Sequence, residues 1–322
     1  MSSSKQIKIG AVLSYLSIGV NILAGLLYTP WMVQQIGKSD YSLFTLVNAL
    51  ITMFMIDFGL SSATARYVAK YRAENRQQKV NDFLGAVYKL YLMIDFAILV
   101  VLTVVYIFLD QIYVTLSADE LSKLKVVYLI AAGFSLFNFP FVTLNGILTA
   151  YEKFIQIKLA DLIYRFLIVG LMVAALSLGG GLYAVVIVNA AAGVVTTAFK
   201  LITVKKTTPV KVNFQYFDRD MVKKIFSFSI WTTVSMLAQR LVFNITPSIL
   251  AAVAGSGAIA VFGIISTIEG YTYTVTTAIN GMFLPKISRI YAGADADDSI
   301  MPLMLKVGRF QYALNGLIVA GF

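Results

Sequence analysis

YSLFTLVNALITMFMIDFGLSSATARYVAKYRAEN, Tyr41 to Asn75, decides how this chain is read. It opens almost wholly apolar; then Arg66, Lys70, Arg72, Arg76 and Lys79 arrive within a short span, with Glu74 alone before Asp82. A helix of about 20 apolar residues, rising ~1.5 Å per residue, matches the hydrocarbon core of a bilayer. Lys and Arg resist translocation, so a basic cluster at the end of such a helix marks the cytoplasmic side. The stretch reads as a membrane helix entering from outside at Tyr41 and leaving into the cytoplasm near Ser62.

The composition extends that reading to the whole chain. Apolar residues make up 59% of it and charged residues 13%, about half the charged share of a soluble domain. So much apolar surface has no cover in water, and the chain reads as a polytopic membrane protein. Cysteine and histidine are both absent, which excludes disulfides, the usual metal and haem ligand sets, and histidine-based catalysis. The net charge of +10 implies no nucleic-acid partner if it lies on one membrane face, where it orients the chain and attracts anionic lipid headgroups. The N-terminal MSSSKQIKIGAVLSY has no small-residue cleavage site and reads as the start of an uncleaved helix.

Hydropathy predicts helix 1 over Ile9–Val33, helix 2 over Tyr41–Ser62, helix 3 over Phe83–Leu109 and helix 4 over Val126–Ala150. Ser117-Ala118-Asp119-Glu120 is a capping-box pattern beginning the outer turn before helix 4. Helix 5 spans Leu162–Leu178, Gly179-Gly180-Gly181 permits a tight reversal, and helix 6 spans Leu182–Val204. Helix 7 covers Ser227–Val253 and helix 8 Ala258–Phe283; a ninth begins near Lys306 and is cut off at Phe322. With the N-terminus inside, all but five of the 26 Lys and Arg fall on inner segments or inner helix ends. The exceptions are Lys38, Lys123 and Lys125 outside, and Lys89 and Arg240 within the membrane. That is the positive-inside pattern.

Between helices 6 and 7, Phe214, Phe217, Met221 and Ile225 recur at helical spacing with Arg219, Lys223 and Lys224 off the stripe. This predicts an amphipathic helix on the inner leaflet over 207–224, with a solvated basic linker and a partner-binding helix as the alternatives. An internal repeat also shows. Thr29-Pro30 matches Thr246-Pro247, Phe44 matches Phe262, Arg66 matches Lys286, Tyr71 matches Tyr291, Lys89 matches Arg309 and Asp95 matches Asn315, at nearly constant offset. Six helices separate equivalents, so the halves share one orientation, as in parallel-repeat transporters. The expected fold is all-α and polytopic: two parallel-repeat six-helix bundles around a central cavity, the second truncated, with about eight complete membrane helices plus part of a ninth. The expected divisions are 1–206 for the first bundle, 207–224 for the linker and 225–322 for the start of the second bundle.

Ionisable groups in lipid cost about 2.5–3.5 kcal/mol each on insertion scales, so each needs a partner or a watered cavity. Asp95, Arg240 and Glu269 fall near mid-depth, with Asp57 and Lys89 nearer the cytoplasm. Arg240 stays protonated and its planar fork suits an anionic headgroup; the alternative is an Arg240–Glu269 pair bridging helices 7 and 8. Asp95 and Glu269 are candidate carriers of a coupling proton or sodium ion, and Asp57 is a third unless it pairs with Arg66 or Lys89. Asn21, Asn48, Asn138, Asn145, Asn189 and Asn244 supply polar groups that either bond across helices or meet a sugar, with Asn21, Asn48 and Asn244 grouped with Arg240 as cavity candidates. Pro30, Pro140 and Pro247 are expected to mark kinks. No phosphate loop of the Gly-x-x-x-x-Gly-Lys-Ser/Thr type occurs.

Several local patterns also carry a resemblance. Gly25-Leu26-Leu27-Tyr28-Thr29-Pro30, Ile36-Gly37-Lys38-Ser39-Asp40-Tyr41, Asp57-Phe58-Gly59, Ala65-Arg66-Tyr67 and Lys70-Tyr71 follow in order over the first eighty or so residues. In that order and spacing the chain resembles the bacterial polysaccharide (O-antigen) flippases of the multidrug/oligosaccharidyl-lipid/polysaccharide exporter superfamily. The resemblance implies a non-enzymatic carrier in the bacterial inner membrane, moving an undecaprenyl-pyrophosphate-linked oligosaccharide by alternating access, without cofactor. It implies H⁺ or Na⁺ coupling, contact with membrane lipids and with polysaccharide assembly proteins, and a place in lipopolysaccharide synthesis. The rival readings are a drug or organic-cation antiporter of the same superfamily, a membrane polymerase or ligase, and a membrane scaffold.

Overall fold

The computed structural model describes residues 3–216 and 218–270, with a few further positions between 273 and 316. Helix is the regular structure throughout the described residues. Helix α1, Ser3–Phe54, joins the two expected first helices across Gly37, whose φ of 83° bends the chain where a side chain would be strained. There follow α2, Leu60–Ala73; α3, Gln77–Ile112; α4, Ala118–Asn138; a 3-10 turn, Phe139–Val142; and α5, Thr143–Ala150. After them come α6, Phe154–Ser177; α7, Leu182–Thr207; and α8, Arg219–Val253. A further apolar helix, α9, spans Ser256–Gly270. The chain divides into two compact units, Met1–Gly263 and Ile264–Phe322.

Four stretches are long and apolar enough to cross a membrane: Gln77–Ile112, Ala118–Ala150, Phe154–Ser177 and Leu182–Thr207. Each buries less than a third of its most apolar window inside the protein. On α3 the outward residues include Met93, Phe96 and Ile107, each more than half exposed. A water-soluble chain has no use for an apolar face of that extent; a bilayer covers it.

Charge sorts to the two ends of the first unit. At one end Lys123 pairs with Asp40 and Asp119, Lys125 pairs with Asp110, and Ser39 donates to Glu120. The Ser117 capping box expected from the sequence is present there. At the other end lie α2 with its basic residues, the α5–α6 turn and the link after α7. Arg72 donates to the Ala150 carbonyl and stacks on Tyr151, and Gln77 reaches the Pro209 carbonyl. Among the described residues, two of the three cations expected outside are thus held by acids, while the dense cationic run gathers at the opposite end.

The expected helix 2 is not continuous. It stops at Phe54, and the chain turns through Asp57-Phe58-Gly59, with Phe58 at φ 49° and Gly59 at φ 69°, before α2 starts. Asp57 explains the restart: its carboxylate accepts the Gly59 and Ser61 N–H groups, which have no partner inside α2. Gly146 then lets α5 close on α2, since a Cβ there would stand 2.4 Å from the Ser61 carbonyl oxygen. The Pro140 kink is present as the 3-10 turn between α4 and α5.

The linker also departs from the expectation. Residues 208–216 and 218 form no helix; the chain is extended over Thr208–Asn213 and turns at Phe214 and Gln215, and Phe217 lies outside the described residues. Met221 and Ile225 belong to α8 itself. Tertiary hydrogen bonds to α3 replace those an amphipathic helix would make within itself: Asn213 N donates to the Asn81 carbonyl (3.1 Å), Lys211 N to Asn81 Oδ1 (3.0 Å), and Asn213 Nδ2 to Asp82 Oδ1 (2.7 Å). Gly85 permits this approach, because a Cβ there would meet the Asn213 carbonyl oxygen at 1.8 Å.

Pro30 lies inside α1 and its repeat partner Pro247 inside α8. Gly37 and Gly255, the left-handed glycines (φ 83° and 77°) that follow them, are separated by the same offset as Phe44 and Phe262. Asn315, the later part of the expected eighth helix and most of the expected ninth lie outside the described residues.

Candidate functional site: an amide-lined cavity in the first unit

A cavity of about 430 Å³ opens between the second arm of α1, α4, the 3-10 turn, α5, α6 and α7. Its polar lining includes four amides, one from each of four helices: Asn48 from α1, Asn138 from α4, Asn145 from α5 and Asn189 from α7. Helical spacing accounts for the inward set on α7, where Val186, Asn189, Gly193, Thr196, Thr197 and Lys200 follow one another on the cavity side. Asn138 and Asn189 each give an amide N–H to the carbonyl four residues earlier, Phe134 and Val185. The side-chain carbonyl oxygens of Asn138 and Asn145 are buried and have no hydrogen-bond partner. Acceptors left so in a packed core cost about 1–3 kcal/mol each, so a ligand hydroxyl or water there is worth that much.

One end of the cavity is charged. Asp161 of α6 and Lys200 of α7 both line it, and Lys158 pairs with Asp161 at 3.3 Å. The sequence pattern counts Lys158 and Lys200 only among the 21 inner-side cations and does not single out Asp161. The signal available was the Lys158/Asp161 spacing at the start of α6, which resembles any local surface pair.

A second recess of about 370 Å³ shares Ile51, Thr52, Ser135, Asn138 and Val142 with the first, and adds Asp57 and Arg240. Arg240, on α8, donates from Nη1 to the Thr52 carbonyl in the last turn of α1's second arm. The C-terminal end of a helix carries partial negative charge on carbonyls without N–H partners, so a guanidinium is stabilised there. Asp57 lines the same recess, so its carboxylate lies on the guanidinium's side of the break. The break in the expected helix 2 is therefore what gives Arg240 its partners.

The other candidates are dispersed. Asn48 lines the cavity, whereas Asn244 lies on α8, half-buried and outside both linings. Asn21 is in α1, with its side chain outside the described residues. Asp95 sits half-buried on α3 with Oδ1 lacking a hydrogen-bond partner, and it lines neither recess. Glu269, in the second unit, is exposed near the end of α9. Among the described residues, no group of His, Cys, Asp or Glu has the makings of a metal site.

Three comparisons place this architecture. Among solved structures, the chain is similar to an inward-facing multidrug resistance MATE family transporter of the MOP superfamily, at 16% identity and TM-score 0.62 over 92% of this chain and 69% of that one. It is similar also to a MOP superfamily transporter from Pyrococcus furiosus described as having a binding pocket of reverse polarity, at 15% identity and TM-score 0.60 over 99% and 77%. A crystal structure of MATE in the straight conformation matches at 16% identity and TM-score 0.65, over 99% and 71%. At such identities the likeness is one of fold. No curated protein sequence is significantly similar to the chain. The family model for polysaccharide biosynthesis proteins matches residues 8–291, nearly the whole chain. Apolar helices that need a bilayer, a MATE-like fold and that match agree: this multi-pass membrane protein belongs to the polysaccharide biosynthesis protein family.

Proposed function

We propose that this protein is a flippase for a lipid-linked oligosaccharide, carrying an undecaprenyl-pyrophosphate-linked glycan across the cytoplasmic membrane by alternating access between two repeat-related halves. The observation that carries the reading is the cavity itself: four asparagine side chains converge in it, two with unpartnered carbonyl oxygens, beside Lys200. Amides donate and accept at once, which suits sugar hydroxyls, and a lysine suits the phosphate end of the same molecule. Membership of a polysaccharide biosynthesis family supports a glycan cargo. The matched Gly37 and Gly255 turns support the paired halves. The N-terminus and the basic end lie in the cytoplasm on this reading, and Asp57, Asp95 and Glu269 are the carboxylates available to couple H⁺ or Na⁺.

A drug or organic-cation antiporter is the second reading, favoured by Asp161 in the cavity. Lys158 already holds that carboxylate and Lys200 lies beside it, so the local charge is unfavourable to a cationic cargo. The test is glycan export in a strain lacking its own flippase, rescued by the full-length gene. Replacing Asn138 and Asn189 together by Leu is expected to cut export at least tenfold at equal protein level, and Lys200→Gln to cut it severalfold. Full export by both variants refutes the cavity as the glycan site; resistance to organic cations in place of export selects the antiporter.

A further inference from the structure

A separate pocket of about 230 Å³ lies outside the cavity, at the basic end of the first unit, under the linker. Tyr71 of α2, Lys79, Asp82 and Phe83 of α3, and Tyr216 and Asp218 of the linker line it. We infer that this pocket binds a phosphorylated primary amine, the headgroup chemistry of an ethanolamine phospholipid.

The size sets the first limit. Pockets for drug-sized ligands run about 300–1,000 Å³, so this one takes a small headgroup and not a saccharide chain. The charges set the second, because the lining holds two carboxylates and one ammonium, the complement of a zwitterion. Asp82 Oδ1 is engaged by Gln78 and Asn213, which leaves Oδ2 available. Asp218 accepts the Asp220 N–H on Oδ1 and the Tyr216 hydroxyl on Oδ2. Lys79 is exposed, and among the described residues it forms no ion pair, so a phosphate at the rim would be its partner. A primary ammonium has three N–H donors for Asp82, Asp218 and a tyrosine oxygen; a quaternary one has none. Burial first, and nearby Asp218 among the charges, raise the Tyr71 and Tyr216 hydroxyls above the usual tyrosine range, so both stay neutral. Phe214 on the linker and Phe226 on α8 are exposed and offer apolar surface for acyl chains. An occupant would touch α2, α3 and the linker together, and so steady the segment that joins the halves.

Native mass spectrometry of the full-length protein in mild detergent tests this, with phosphatidylethanolamine, phosphatidylcholine and phosphatidylglycerol added in turn, and soluble phosphoethanolamine as competitor. Phosphatidylethanolamine is expected to bind at least tenfold more tightly than the other two. The isosteric pair Asp82→Asn with Asp218→Asn keeps the oxygens that seat Asn213 and cap α8, and is expected to lose that preference. Hydrogen exchange at Asn213 checks that the linker stays seated. Lys79→Gln, at an exposed position, reads the phosphate half and is expected to weaken binding severalfold. Displacement of the lipid by phosphoethanolamine supports the headgroup chemistry; binding of phosphoethanolamine without the lipid assigns the site to the free phosphoester and overturns the lipid source. Equal binding of phosphatidylglycerol, or phosphatidylethanolamine binding unchanged in the double variant or in Lys79→Gln, overturns the proposal.

Discussion

Gly85→Ala strikes the point where the linker crosses α3. The new methyl would stand 1.8 Å from the Asn213 carbonyl oxygen and 2.6 Å from its carbon, both main-chain atoms that no rotamer change can move aside. Relief requires the linker to lift by more than about an ångström, beyond hydrogen-bonding range for what it now holds. At risk are the two N–H bonds from Lys211 and Asn213 to Asn81, worth about 1 kcal/mol each, and the Asn213 bond to the Asp82 carboxylate, worth about 2. The sum is about 4 kcal/mol, already net of the amides' return to water, which is about a 1,000-fold rise in the open fraction. Hydrogen exchange reads that fraction directly at the Lys211 and Asn213 amides. Gly133→Ala is the control, since nothing lies within 4 Å of its new methyl, and it is expected to leave those amides unchanged. Exchange at 211 and 213 at the wild-type rate in Gly85→Ala would refute the seating of the linker on α3.

Two further outcomes follow from the same geometry. Arg240→Ala removes the donor on the Thr52 carbonyl and the charge that shares its recess with Asp57, and is expected to lower stability in detergent by about 2–3 kcal/mol, with Arg240→Lys intermediate because it keeps the charge and loses the fork. A double-mutant cycle with Asp57→Asn reads their coupling, and a coupling energy of zero would remove Asp57 as a partner. Single cysteines introduced into this cysteine-free chain test the proposed orientation: an impermeant reagent on intact cells is expected to label position 118 and spare position 208, and the reverse would invert it.

Much of this protein is legible in the sequence because lipid imposes one rule on the whole chain. A bilayer demands long apolar helices and sorts Lys and Arg by side, so α3, α4, α6 and α7, the Gly179 reversal and the Ser117 cap could be read from composition and local pattern. The inward asparagines Asn48, Asn138, Asn145 and Asn189 were visible as polar groups in apolar helices. That these four share one cavity while Asn244 does not was a matter of which helices meet, and no single helix encodes its neighbours. The break at Asp57 looked like the polar end of a helix, because hydropathy averages over a window and cannot see Phe58 and Gly59 at positive φ. Only that break frees the Thr52 carbonyl for Arg240. The linker has the period of an amphipathic helix, yet its backbone finds better partners in Asn81 and Asp82, more than a hundred residues away. Local periodicity reports what a segment prefers alone; the tertiary structure decided the linker because its hydrogen bonds are satisfied by distant residues, across a gap that exists only because residue 85 has no side chain.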